Sequence, residues 1–209
     1  MHPLNLSFAA CGFLGIYHLG AATAFLKHGQ NMLKTVKAFA GASSGSLVAT
    51  LLLTAPDKTK ECQTFTYKFA EEVRNQTFGA ATPGYDFINS LRAGIESILP
   101  SNAHEVAENR LFVSITNIRT RENYLVSNFA SREDLIKVLL ASSFVPVYAG
   151  IKAVEYKGEI SLANLERLNH ALFPPKREKM ESLFQNGFND TVLFLLKENW
   201  FEQNSEKQL

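Results

Sequence analysis

Apolar and polar residues follow two different spacings in the first quarter of the chain. Residues 4–8 alternate between apolar and polar side chains, which predicts a first β-strand. Residues 16–28 have apolar positions at helical spacing, and Gly29 is a plausible C-cap for that helix. Residues 35–40 alternate again, and the apolar residues 47–53 predict a buried helix. This order of strand, loop, helix, strand and helix predicts the start of a parallel α/β sheet.

The pattern beyond residue 54 predicts further helices and a hairpin. Apolar residues mark one face of a helix that begins at residues 54–57, and a second such face lies between residues 87 and 98. Residues 111–115 and 124–126 flank a charged turn, which predicts a β-hairpin. Ser131-Arg132-Glu133-Asp134 is a capping signature, and the helix that it starts is predicted to end near Ser142.

The C-terminal part of the chain combines apolar, aromatic and basic residues. Leucines at helical spacing over residues 162–172 are followed by two prolines, and Asp190 is predicted in the N-cap region of a final helix. The favoured interpretation is that helices here cover the sheet. The alternative is a basic and aromatic edge that rests on a membrane or lipid-droplet surface.

Composition narrows the possible classes of protein. A length of 209 residues fits one domain, and a formal net charge of +1 gives no case for nucleic-acid binding. Cys11 and Cys62 form neither a disulfide framework nor a metal-binding spacing, so a reducing compartment and no metal or cofactor are expected. No signal peptide or membrane-spanning stretch is predicted.

The stretch Gly41-Ala42-Ser43-Ser44-Gly45 matches the G-x-S-x-G pattern of a nucleophile elbow. It lies between a predicted strand and a predicted helix, which is the context that this motif requires. Glycine at positions 41 and 45 leaves room for a tight turn that exposes Ser43 at a helix N-terminus. The alternative is a turn rich in serine and glycine that has no chemical role.

A second glycine loop, Gly12-x-x-Gly15, precedes the first helix and has three possible roles. A dinucleotide site is poorly supported, because Ala10 occupies the place of the first glycine in G-x-G-x-x-G. A tight strand-to-helix turn is the simplest role. An oxyanion hole formed by backbone N–H groups is favoured, because a G-x-S-x-G elbow follows one strand later.

Taken together, residues 7–20 and 41–45 resemble the patatin-like phospholipase domain family, and the Cys-Gly-Phe-Leu-Gly-Ile-Tyr-His form resembles its adiponutrin branch. The resemblance implies a three-layer α/β sandwich with a mainly parallel central sheet. It also implies a serine–aspartate dyad, without histidine, that hydrolyses triacylglycerols or phospholipids or transfers acyl groups between glycerides and retinol. Ser43 would be the nucleophile. The backbone of Cys11, Gly12, Phe13 and Leu14 would hold the oxyanion, and Gly15 would shape the turn.

The second catalytic element of that family is missing here. After Gly158 the family pattern predicts an Asp-Gly-Gly or Asp-Gly-Ala element, but no aspartate of this chain precedes a glycine. An internal deletion, such as a skipped exon or a gene-model gap, is therefore predicted. It would leave an incomplete patatin-like domain over residues 4–158, truncated after about residue 158, and a helical segment over residues 159–209 that packs on it.

Three functions remain open on this evidence. The first is a lipid acyl hydrolase or transacylase with impaired activity, because a serine hydroxyl without a base is a weak nucleophile. The second is a non-catalytic lipid-binding or interaction isoform of the same family. The third is a Ser-His-Asp hydrolase, which would need one of the five histidines near Ser43. The resemblance implies an acylglycerol or phospholipid substrate and a cytoplasmic protein peripherally associated with lipid droplets or membranes.

Overall fold

A four-stranded sheet lies at the centre of the fold, and its first three strands are parallel. The computed structural model describes residues 4–116, 122–143 and 173–203. The sheet has the order β1-β2-β3-β4, and β4 pairs antiparallel with β3 as the predicted hairpin. The strands are β1 (Leu4–Phe8), β2 (Val36–Ala42), β3 (Leu111–Thr116) and β4 (Asn123–Val126). The predicted α/β class with a mainly parallel sheet is confirmed.

Eight helices are described, together with short 3-10 turns at Gly12–Leu14, Pro56–Lys58 and Gly79–Ala81. They are α1 (Gly15–His28), α2 (Gln30–Thr35), α3 (Ser44–Thr54), α4 (Thr59–Arg74), α5 (Phe87–Ile98), α6 (Ala103–Ala107), α7 (Arg132–Ser143) and α8 (Arg177–Lys197). The predicted boundary between residues 158 and 159 and the leucine pattern over residues 162–172 lie outside the described residues. None of the helices in the described ranges is long and apolar enough to cross a membrane.

Parallel pairing brings the carboxyl ends of three strands to one edge of the sheet. Phe8 pairs with Gly41, and Gly41 pairs in turn with Val113. Helix α3 leaves this edge directly after β2, and its apolar residues enter the main core together with Ile16 and Leu139. Burial of such side chains contributes roughly 1.5–3 kcal/mol each. The edge is therefore anchored by the core immediately behind it.

The start of α7 confirms the predicted capping signature. The Asp134 backbone N–H donates to Ser131 Oγ at 3.1 Å, and the Ala130 backbone N–H donates to Asp134 Oδ2 at 3.1 Å. These two bonds satisfy one amide in the first turn and one just before the helix, both of which would otherwise lack partners. The two residues that form the cap thus fix where α7 begins.

Helix α8 corrects one prediction. The helix runs without a break from Arg177 to Lys197, so Asp190 lies within it and not in an N-cap region. The Tyr17 hydroxyl donates to Asp190 Oδ2 at 2.8 Å and so ties α8 to α1. The sequence around Asp190 has the polar character of a cap, but contacts with α1 stabilise the helix through this point.

Glycines allow α1 and α8 to approach with their backbones in contact. A Cβ atom on Gly20 would overlap the carbonyl oxygen of Phe184, and a Cβ on Gly187 would overlap that of Tyr17. At the far end of α8, the buried Leu195 packs with Phe25. The close approach explains why glycine is tolerated inside α8, where it weakens an isolated helix.

We expect Gly187→Ala to lower the free energy of unfolding by roughly 1–3 kcal/mol, because the added methyl group would force α8 away from α1. Urea denaturation measures this change. Asn186→Ala is the matched control, since Asn186 is exposed on the same helix and its change should stay within about 0.5 kcal/mol. A Gly187→Ala protein as stable as the control would show that the close packing is not needed.

Candidate active site

Ser43 occupies the turn between β2 and α3 in a conformation that L-residues rarely adopt. Its backbone has φ 52° and ψ −130°, and it is the N-cap residue of α3. The Ser43 carbonyl accepts from the backbone N–H of Ser46 at 2.9 Å and from that of Leu47 at 3.3 Å. The predicted strand-to-helix turn at Ser43 is thereby confirmed. Such strained residues cost about 1–3 kcal/mol and cluster at functional sites.

The two elbow glycines are required by close backbone approach. A Cβ atom on Gly41 would lie 2.5 Å from the backbone nitrogen of Ser46. A Cβ atom on Gly45 would lie 2.5 Å from the carbonyl oxygen of Ala9 and would overlap that of Phe8. The predicted reason for glycine at both positions holds, and Gly45 additionally allows α3 to contact the end of β1.

The glycine loop lies against the residue that follows Ser43. The Cys11 backbone N–H donates to Ser44 Oγ at 3.3 Å, and Cys11 Sγ lies 3.3 Å from the same oxygen. A Cβ atom on Gly15 would lie 2.9 Å from Ser44 Cβ, so glycine at position 15 makes room for the Ser44 side chain. Burial raises the pKa of the Cys11 thiol, and this effect is larger than the lowering caused by its hydrogen bond with Ser44. The thiol is therefore protonated at neutral pH.

Only part of the predicted oxyanion loop has free backbone donors. The Cys11 N–H is bonded to Ser44 Oγ, and the Leu14 N–H donates to the Cys11 carbonyl at 3.0 Å. The amides of Gly12 and Phe13 have no hydrogen-bond partner among the described residues. Gly12 adopts φ 52°, which glycine tolerates without strain. The two adjacent amides of Gly12 and Phe13 are thus available to a ligand.

No carboxylate among the described residues is hydrogen-bonded to the Ser43 hydroxyl, and all four aspartates lie within the described ranges. Asp57 is exposed in the turn after α3, and Asp86 caps α5 through the Asn89 N–H at 2.9 Å. Asp134 caps α7 and Asp190 bonds Tyr17. Three of the four aspartates therefore have structural contacts elsewhere and Asp57 is exposed, and the sequence has no Asp-Gly element.

Each of the three described histidines lies close to a group other than Ser43. His18 Nε2 lies 3.2 Å from the Ala9 carbonyl oxygen, and burial lowers the pKa of His18. His28 Nδ1 lies 3.1 Å from the Glu202 carbonyl oxygen, and its ring stacks on Phe201. His104 has a buried Nδ1 without a hydrogen-bond partner in the described part of the chain. His2 and His170 lie outside the described residues.

Ser142, at the end of α7, contacts the elbow directly and was not identified from the sequence. The Ser43 backbone N–H donates to Ser142 Oγ at 2.8 Å, and Ser142 Oγ donates to the Ser114 carbonyl at 2.7 Å. Sequence spacing gives no signal for this contact, because Ser43 and Ser142 are far apart in the chain. No group of three histidine, cysteine or acidic residues in the described ranges could hold a metal ion.

Comparisons with known proteins identify the family. The sequence profile described as patatin-like phospholipase matches residues 6–169. Human patatin-like phospholipase domain-containing protein 4 is 59% identical over 253 aligned positions, which cover 97% of this chain and 100% of that protein. The chain therefore belongs to the patatin-like phospholipase family, as its motifs predicted.

More distant similarities extend over most of the chain. Human omega-hydroxyceramide transacylase is 27% identical, with coverage of 99% of this chain and 48% of that protein. The crystal structure of the type III effector protein ExoU is 16% identical, with a TM-score of 0.46 and coverage of 96% of this chain and 54% of that chain. The chain thus spans about half the length of these two proteins.

We expect Ser43→Gly to be more stable than Ser43→Ala by roughly 1 kcal/mol, because glycine relieves the strain at φ 52° and alanine retains it. Both changes remove the hydroxyl, so they differ at this position only by the Cβ atom. The free energy of unfolding from urea denaturation provides the measurement. Equal stability of the two variants would mean that the turn stores no appreciable strain.

Proposed function

We propose that this chain is a serine acyl-ester hydrolase or transacylase in architecture, with Ser43 as nucleophile and with impaired turnover. The observation that carries the proposal is the strained Ser43. Its neighbour Ser44 contacts the loop whose Gly12 and Phe13 amides have no partner in the described part of the chain. Family membership supports acyl chemistry on lipids.

The geometry supports a two-step acyl transfer. Ser43 Oγ would attack the ester carbonyl, and the carbonyl oxygen would move toward the Gly12 and Phe13 amides as negative charge develops. The alcohol would then leave with a proton, and water or an acceptor alcohol would release the acyl group from Ser43. The N-terminus of α3 adds favourable electrostatics for an oxyanion.

The weak step is removal of the proton from Ser43 Oγ. A positioned base contributes roughly 10²- to 10⁴-fold in rate. Of the four aspartates, Asp86, Asp134 and Asp190 contact other groups and Asp57 is exposed. One oxyanion donor contributes on the order of 3 kcal/mol, so slow turnover is expected to persist without a base. We therefore propose residual activity well below that of a complete family member.

An internal deletion accounts for the missing base. The alignment with the human relative occupies 253 positions, more than the 209 residues of this chain, although it covers all of that relative. Gaps therefore fall opposite this chain inside the alignment. We propose that the absent segment follows residue 158 and includes the aspartate of the dyad.

The proposed substrates are acylglycerols or phospholipids, with acyl transfer, including retinyl-ester formation, as a further activity. One relative is an omega-hydroxyceramide transacylase by name, which supports acyl transfer within the family. A specific observation also favours a second function, a non-catalytic lipid-binding or interaction isoform. That observation is the lack of any carboxylate bonded to Ser43 in the described ranges.

We further propose that the protein associates peripherally with a lipid-droplet or membrane surface. Leu193, Phe194 and Leu196 are exposed near the end of α8, with 63% of Leu193 accessible. Large exposed apolar side chains grouped on one helix are typical of sites that contact lipid or protein. These residues give the proposed surface association a defined location.

We expect the purified chain to hydrolyse a short acyl ester roughly 10²- to 10⁴-fold more slowly than a form with the family's Asp-Gly segment inserted after Gly158. The Ser43→Ala variant should abolish hydrolysis in both forms. The measurement is initial rate with a chromogenic ester of a short fatty acid.

Ser97→Ala is the matched control for that experiment, because Ser97 Oγ donates within its own helix α5, to the Gly94 carbonyl. The control should retain full activity. Equal rates for the chain and the restored form would mean that another base serves Ser43. Hydrolysis that survives Ser43→Ala would contradict the assignment of the nucleophile.

We expect the double change Leu193→Ser and Leu196→Ser to reduce binding to phosphatidylcholine vesicles at least roughly fivefold, because less apolar surface would leave water. Vesicle co-sedimentation measures the bound fraction. Asn186→Ser with Asn189→Ser is the control, since both side chains are exposed on the same helix. Unchanged binding of the leucine variant would contradict this location for the surface.

A further inference from the structure

The Ser142 hydroxyl connects the nucleophile turn to the central sheet. It accepts a hydrogen bond from the Ser43 backbone N–H at 2.8 Å. It donates its own proton to the Ser114 carbonyl oxygen at 2.7 Å. A hydroxyl has a single proton, so its donation to Ser114 leaves a lone pair directed at the Ser43 amide. Both bonds are therefore compatible, and their directions are fixed.

The Ser43 amide needs such a partner. As the N-cap residue of α3, Ser43 has no acceptor for its N–H within the helix. A buried amide without a partner is costly, so the acceptor from α7 stabilises the conformation of Ser43 over less strained alternatives.

The Ser114 carbonyl, which accepts from the Ser142 hydroxyl, is fixed in position by the sheet. Ser114 lies in β3, where it pairs with Ala42 of β2 and with Leu125 of β4. The Asn123 side-chain amide donates to Ser114 Oγ at 2.8 Å, which further fixes the strand end. Because Ser114 cannot move without disturbing two strand pairs, it provides a rigid anchor for the Ser142 hydroxyl.

We infer that Ser142 is a positioning residue that holds Ser43 in the geometry needed for nucleophilic attack. The inference rests on the proposed function of Ser43 and adds a residue to it. Ser142 contacts the backbone of Ser43, not the reacting oxygen, so it acts through the direction in which the turn presents Oγ. Small displacements of a reacting group cost roughly tenfold to a hundredfold in rate.

The neighbouring serine supplies a matched control. Ser143 is the next residue of α7, and its Oγ is buried without a hydrogen-bond partner in the described part of the chain. Ser142→Ala and Ser143→Ala thus remove the same atom from adjacent positions of one helix. Ser142→Thr retains the hydroxyl and should restore the function that Ser142→Ala loses.

The experiment uses the full chain and an alkyl fluorophosphonate, with the site of labelling identified by mass spectrometry. We expect Ser142→Ala to reduce the maximal rate of labelling at Ser43 roughly tenfold or more, with little change in the probe concentration at half-maximal rate. Ser142→Thr should recover most of the rate, and Ser143→Ala should match the unsubstituted chain.

A second measurement does not depend on reactivity. Amide hydrogen exchange by NMR should be roughly tenfold faster at Ser43 in Ser142→Ala, because the acceptor of that N–H is lost. The Phe39 amide, which donates to the Arg110 carbonyl at 2.8 Å, reports opening of the sheet and should be unchanged. Faster exchange at both amides would indicate general loosening and would overturn the inference.

The possible outcomes separate this inference from the proposed function. Slower labelling and faster Ser43 exchange, confined to Ser142→Ala, support it. Labelling equal to the unsubstituted chain, or an equal loss in Ser143→Ala, overturns it. If Ser43 of the unsubstituted chain is not labelled at all, the proposed function fails. In that case, hydrogen exchange alone decides whether Ser142 stabilises the Ser43 amide. Unchanged exchange at Ser43 in Ser142→Ala would refute this role, and faster exchange confined to Ser43 would support it.

Discussion

The contact between Gly45 and the end of β1 is the constraint on which the site depends. No side chain fits there, because the carbonyls of Phe8 and Ala9 lie where a Cβ atom would be. Gly41 packs equally closely on the start of α3. These two close contacts restrict the backbone conformation of the turn between β2 and α3. Within this turn Ser43 has its strained conformation, and the Ser44 side chain lies against the glycine loop. Strain at Ser43 is thus associated with close packing of the surrounding backbone.

Local sequence signals predicted the elements that place this turn. The alternation in β1 and β2, the G-x-S-x-G stretch and the Ser131 to Asp134 cap depend on neighbours within a few residues, so they are visible in a single sequence. The short helices α2 and α6 were missed, because six and five residues give too few turns for a helical pattern. Their positions depend on the core that they cover.

Contacts between distant residues could not be predicted in this way. The cap assigned near Asp190 was wrong because α8 is stabilised by α1, through backbone contact at Gly187 and the bond from Tyr17. Ser142 was overlooked for the same reason, since its partner Ser43 is 99 residues away. Likewise, only coordinates show that the Cys11 and Leu14 amides have partners, whereas those of Gly12 and Phe13 have none among the described residues.

The contacts that shape the turn at Ser43 are independent of the base that the proposed nucleophile would need. The turn at Ser43 is fixed by β1, β2, α3 and the end of α7, and the loop proposed to hold an oxyanion contacts Ser44 through Cys11. None of these contacts uses an aspartate. Loss of a segment that supplies the base can therefore leave a well-formed serine turn, because packing and not proton transfer determines its geometry. A correctly shaped elbow is consequently evidence of ancestry, whereas nucleophilic turnover by a serine depends on the separate presence of a base.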